Sequence, residues 1–143
     1  MSIWYRQPDL QQMNDHARNT AVSTLGIEIT GIGEDYLEGR MPVDHRTIQP
    51  FGILHGGASV LLAETLGSIA ANHCIAVPGK VAVGLDINAN HIRPVPAGKW
   101  VLARAKAIHV GATTQVWEIV ITTEAGKTVC VSRLTMAVVA KPG

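Results

Sequence analysis

Phenylalanine occurs once in these 143 residues, and all the aromatics together make up 4%. Charged residues are also scarce, at 16%, and they balance to a formal net charge of +1. No basic run is present, so the electrostatic footprint of a nucleic-acid binder is missing and nucleic acid is not expected as a partner. No stretch approaches the ~20 consecutive apolar residues of a membrane span, and residues 1–20 are too polar for a signal peptide, so no membrane partner is expected either. Cys74 and Cys130 follow no metal-ligand spacing and lack the density of a disulfide scaffold. They read as reduced core residues, which suits the cytoplasm. What the chain has in quantity is apolar surface. At 47% hydrophobic it is not disordered, and its length suits one domain with its own core.

Residues 9–22 place Leu10, Met13, Ala17 and Ala21 at helical spacing behind Pro8-Asp9, with a break near Asn14-Asp15 allowed. Residues 1–24 are accordingly set apart as an N-terminal helical segment, and 25–143 as the main domain. Ile27 and Ile29 alternate with polar neighbours, and Tyr36 to Val43 resumes an extended pattern after Gly33-Glu34-Asp35, which is a hairpin signal. An irregular stretch from Asp44 to Gln49 leads into a helix of roughly 54–73. Extended runs follow over 80–93, 99–109, 113–123 and 127–139. In the first of these, Val81, Val83, Leu85, Ile87, Ala89 and His91 are expected on one face, with Asn88 and Asn90 opposite. One long helix among about six antiparallel strands is an α+β fold, with the helix packed on one sheet face. The later strands are apolar on both faces, Val116 and Val120 lying opposite Trp117, Ile119 and Ile121. One helix cannot cover both, so self-association is expected.

The long helix opens with His55-Gly56-Gly57, and between Ala58 and Ala71 its only charged residue is Glu64. Desolvation disfavours a charged carboxylate, so Glu64 in such company calls for a raised pKa or a specific partner. Glycines at a helix start bring bare N–H groups and the positive end of the dipole close to whatever docks there. A base in an apolar wall and a donor-rich helix end are what cleavage of an ester or thioester needs. A core helix whose glutamate reaches solvent at one edge, with glycines serving only the turn, gives the same pattern.

The run Gln49-Pro50-Phe51-Gly52-Ile53-Leu54-His55-Gly56-Gly57-Ala58-Ser59, followed by Ala63-Glu64-Thr65-Leu66-Gly67-Ser68, resembles the active-site segment of hotdog-fold acyl-CoA thioesterases. More narrowly, it resembles the branch containing 1,4-dihydroxy-2-naphthoyl-CoA hydrolase and the proofreading thioesterase of enterobactin synthesis. Met41-Pro42-Val43-Asp44, Asn88-Ala89-Asn90-His91-Ile92-Arg93-Pro94 and Gln115-Val116-Trp117-Glu118-Ile119 are similar to other segments of that branch. The resemblance implies a hotdog fold, a long helix wrapped by an antiparallel sheet of about six strands. It also implies a homodimer or homotetramer with the active site at the dimer interface, and catalysis without metal or cofactor. Its substrate is an acyl-CoA, here with an aromatic or medium acyl group. Carried over, Glu64 is the nucleophile or general base, the Gly56 N–H binds the thioester oxygen, and Gln49 and His55 orient it. Ser68, Phe51 and Gly84 fall where the acyl group or water is held; His91, Arg93 and the turn His109, Gly111, Ala112, Thr113 fall where the coenzyme A arm is contacted.

Plainer roles remain open beside these. His55 can be a helix cap, Ser68 a small residue in close packing, and His91 with Arg93 a solvated sheet edge. A hotdog hydratase or dehydratase, or a non-catalytic acyl-CoA binding protein, shares the fold. Against the hydratase, Glu64 has no histidine on its own helix face.

Overall fold

An 18-residue helix, α3 (Gly56–His73), packs on one face of a six-stranded antiparallel sheet. The computed structural model describes residues Met1–Gly143. Two short helices come first, α1 (Leu10–His16) and α2 (Ala21–Thr24), then the strands β1 (Glu28–Ile32) and β2 (Tyr36–Val43). After α3 come β3 (Lys80–His91), β4 (Lys99–Val110), β5 (Thr114–Thr123) and β6 (Thr128–Ala140). The spatial order is β1-β2-β4-β5-β6-β3, so β3, the strand that follows the helix, is an edge strand.

The helix buries Ala58, Ser59, Leu62, Ala63, Leu66, Gly67, Ala70 and Ala71, pairs recurring at the 3–4 spacing of one helical face. Its small residues let the sheet come close: a Cβ on Gly67 would sit 2.5 Å from Leu134 Cδ2. Facing it are fully buried Trp117, Ile119 and Ile121 of β5 and Leu134 and Met136 of β6. The N-terminal segment joins this core. Trp4 stacks on Trp117 at 6.4 Å and donates from Nε1 to Gly33 O, and Met13 is buried in the same cluster. Asn14 pins α1 to β1, donating to Ile29 O and accepting from Ile29 N.

Two expectations need correcting. The helix anticipated over 9–22 breaks at Ala17–Thr20, not at Asn14-Asp15: Asn19 takes φ +60°, and Thr20 begins α2 with a capping box. The second concerns β3, whose apolar alternation does not stay on one face. The register against β6 slips between Gly84 and Asp86, a bulge that gives Leu85 no partner. Before it, Ala82 and Gly84 face the helix; after it, Ile87, Ala89 and His91 do, opposite Leu134, Ser132 and Cys130. Val81 and Val83 therefore point to the far side with Asn88 and Asn90.

That far side is ion-paired at one end and carries valines among Glu118, Arg133 and Asp86 at the other. Over β1, β2 and β4, Arg104 pairs with Glu38 and Arg40 with Glu28, and the two guanidiniums lie over Tyr36 and Trp100. Over β5, β6 and β3 the surface turns to half-buried Val116, Val120 and Val131 and exposed Val83.

Candidate active site

A tight turn after β2 sets the start of α3. Thr47 is buried; its hydroxyl donates to Pro42 O and accepts from Asp44 N. Asp44 Oδ1 takes the Arg46 N–H, while its carboxylate pairs with the Arg46 guanidinium at 2.7 Å. These hydrogen bonds hold the Asp44 carboxyl down at about 2. Thr47 O then accepts the His55 N–H at 2.8 Å, which fixes where the helix begins. His55 is the N-cap, its Nδ1 accepting from Gly57 N at 2.8 Å. Nδ1 as acceptor places the proton on Nε2, which remains a free donor. The capping role and the substrate role are therefore compatible. Gly56 is the first helical residue, and its N–H makes no hydrogen bond within the chain. Gln49 Oε1 accepts from Phe51 N, so the Gln49 amide NH₂ is the end left to donate.

A cavity of about 280 Å³ opens at this helix end, lined among others by Gln49, Gly56, His91 and Arg93. His91 closes it: a Cβ on Gly56 would lie 2.9 Å from His91 Nε2. Arg93 reaches the same cavity from beyond the end of β3, where both Ile92 N and Arg93 N donate to Val129 O. It does so from a loop rather than from the strand expected.

Glu64 lies two turns along α3, on the half-exposed stripe with Leu61, Thr65, Ser68 and Ile69, and not among buried Leu62 and Ala63. It makes no ion pair within the chain. Its carboxylate stands over β3, 2.7 Å from where a Gly84 Cβ would be, and lines a cavity of about 370 Å³ shared with Val22, Ser68 and Ile69. Glu64, Ser68 and Gly84 are thus brought together, and Gln49, His55, Gly56, His91 and Arg93 form a second group. The turn His109, Gly111, Ala112, Thr113 joins neither group. It lies at the Lys80 end of the sheet, with Thr113 O accepting from Val138 N, and His109 pairs with Val116 on the face away from the helix. Phe51 is 89% exposed on its loop.

Residues 51–130 match the thioesterase superfamily. The chain is 48% identical over 136 residues to 1,4-dihydroxy-2-naphthoyl-CoA hydrolase of Escherichia coli, covering 95% of this chain and 98% of that one. The chain belongs to the thioesterase superfamily. The crystal structure of a thioesterase from Haemophilus influenzae superposes with a TM-score of 0.92 at 56% identity, covering 96% of this chain and 95% of that one. A mutant thioesterase from Pseudomonas aeruginosa superposes at 0.94 and 48%, covering 97% and 99%.

In this superfamily member, two features of the site are not legible in the sequence. Asn72, at the end of α3, donates to Ser68 O and Ala82 O and accepts from Ala82 N. It thereby ties β3 to the helix just before Gly84, and its signal was a lone amide after Ala70-Ala71. The second is a cavity of about 410 Å³ beneath the N-terminal helices, which continues the Glu64 cavity through Val22, Ser68 and Ile69 and ends on Arg6, Asn72 and His73. His73 is buried, with its Nδ1 against Arg6 O, and burial pushes its pKa down.

Proposed function

We propose that the protein is a cytoplasmic hydrolase of acyl-CoA thioesters with aromatic or medium acyl groups, working from a site shared by two copies. The observation that carries this reading is the layout of β3. Gly84 lies against Glu64 and His91 against Gly56, both on one strand whose second edge is unpaired within the chain. Asn72 occupies the outward N–H and C=O of Ala82, so the open stretch of edge runs from Gly84 onward. Antiparallel pairing of β3 with its own copy, centred near Ile87, brings the Gly84 end of one chain to the His91 end of the other. Glu64 of one copy then faces Gly56 of its partner. Within a single helix the two are eight residues, about 12 Å, apart, too far to serve one carbonyl. The dimer can pair again into a tetramer through the apolar part of the far sheet face.

In each site the partner's Gly56 N–H takes the developing charge on the thioester oxygen, helped by Gln49 and His55 Nε2–H. Glu64 attacks the carbonyl carbon to form a mixed anhydride and release the CoA thiolate, or it takes a proton from the water that attacks. Ser68, one turn on, holds water or the acyl group. The test is a panel of aroyl- and alkyl-CoAs with free thiol followed. Thiol release supports the reading; loss of enoyl absorbance without thiol would establish the hydratase, and binding with neither a non-catalytic acyl-CoA binding protein.

A further inference from the structure

Three cavities run in line from Glu64 along α3. The Glu64 cavity joins the one under the N-terminal helices, and that one shares Arg6 and Asn72 with a third, of about 310 Å³, reaching Lys80 and Lys141. Among all the side chains lining this groove, Glu64 is the only carboxylate. Arg6, Lys80 and Lys141 have no acidic partner in the chain. Arg6 is also firmly placed. Its N–H donates to His73 O, its C=O meets His73 Nδ1, and its guanidinium donates to Asn72 O at the last turn of the helix. Arg6 is exposed, and its guanidinium, held to Asn72 O at 3.3 Å, keeps donors free to take a carboxylate entering the groove.

We propose that the acyl groups hydrolysed here include monothioesters of dicarboxylic acids, with the second carboxylate bound by Arg6 where the second and third cavities meet. This rests on the reading of Glu64 and Gly56 given above. The partner's helix start, with His91 and Arg93, lies on the coenzyme A side of the thioester, which leaves the direction along α3 to the acyl group. Asn72 is eight residues beyond Glu64, so the acyl chain spans about 12 Å. Apolar Met13, Ala17, Val22 and Ile69 line the way, and the charge waits at its end.

The test compares octanoyl-CoA with the CoA monothioester of octanedioic acid, in the wild type, Arg6→Met and Arg6→Lys. The same two acyl groups are also offered as N-acetylcysteamine thioesters, which carry no phosphate. The kcat/KM ratio of dioic to simple acyl substrate is expected to fall about tenfold in Arg6→Met, mainly through KM. Arg6→Lys should recover part of it, and the drop should be the same on both carriers. A ratio equal in wild type and Arg6→Met overturns the inference. So does an equal fall in kcat/KM for both CoA thioesters that is absent from both N-acetylcysteamine thioesters, which would assign Arg6 to the phosphates. Thiol release from none of the substrates would remove the thioesterase reading itself, and this inference with it.

Discussion

Gly84 leaves the Glu64 carboxylate room that any other residue would take. A methyl there would lie 2.7 Å from Glu64 Oε2, the free end of a flexible side chain, so the carboxylate can swing aside at little cost in stability. Gly84→Ala should therefore lower kcat about tenfold or more while Tm hardly moves, because a small misplacement of a reacting group is expensive in rate. Parallel kinetics and thermal melts check it; a fall in Tm with kcat preserved would mean Gly84 serves folding only. Glu64→Gln keeps the shape and removes the base, so kcat should fall by at least ~10² with the fold intact. Near wild-type turnover in that variant would remove Glu64 from the mechanism. The lone charge of α3 was plain in the sequence; which side of the helix carried it was not. The buried stripe holds small Ala58, Ser59, Ala63, Gly67, Ala70 and Ala71 beside Leu62 and Leu66, whereas Val60, Leu61 and Ile69 lie on the open side. With Val60, Leu61 and Ile69 partly outside, periodicity gives a faint signal and does not show on which side of the helix Glu64 lies.

At the scale of elements, strands, hairpin and long helix were all legible, because their turns carry Gly, Pro and Asp at the required places. The tight turn Glu124-Ala125-Gly126 is one: Gly126 takes φ +85° and Gly126 N donates to Thr123 O. The β3 bulge was not legible, since apolar residues alternate straight through it and only the lone Gly84 hints at a break. The turn between β2 and α3 is where element and site meet. Thr47→Val leaves Pro42 O and Asp44 N without their partner in a buried place and should cost about 1–3 kcal/mol, read from denaturant melts. The Asp44 carboxyl has its pKa lowered on folding, so its pairing with Arg46 supports the fold fully above the ordinary value of 3.8 and is lost as the pH falls through about 2. Asp44→Asn should therefore lower stability above that window and flatten its acid dependence within it. A variant whose stability falls with acid as steeply as the wild type would contradict this.

At the scale of the whole molecule, an open edge strand and a half-buried outer sheet face are what the proposed second copy would cover, and the expectation of self-association rested on strands apolar on both faces. How the proposed dimer would share the chemistry was not visible, because it depends on which parts of β3 lie against Glu64 and Gly56. The decisive measurement mixes Glu64→Ala chains with Gly56→Pro chains. Proline suits the first helical position and deletes the N–H, its ring pressing only on the neighbouring His91 of the same end of the site, and His55, at φ −73° and ψ 129°, already has the conformation a following proline requires. Each variant alone should be inactive. After random reassortment half the dimers are mixed, and each mixed dimer holds one intact site of two, so about a quarter of wild-type specific activity should return. Mixed dimers that form and stay inactive would show that each site is built within one chain, and the shared site would have to be abandoned.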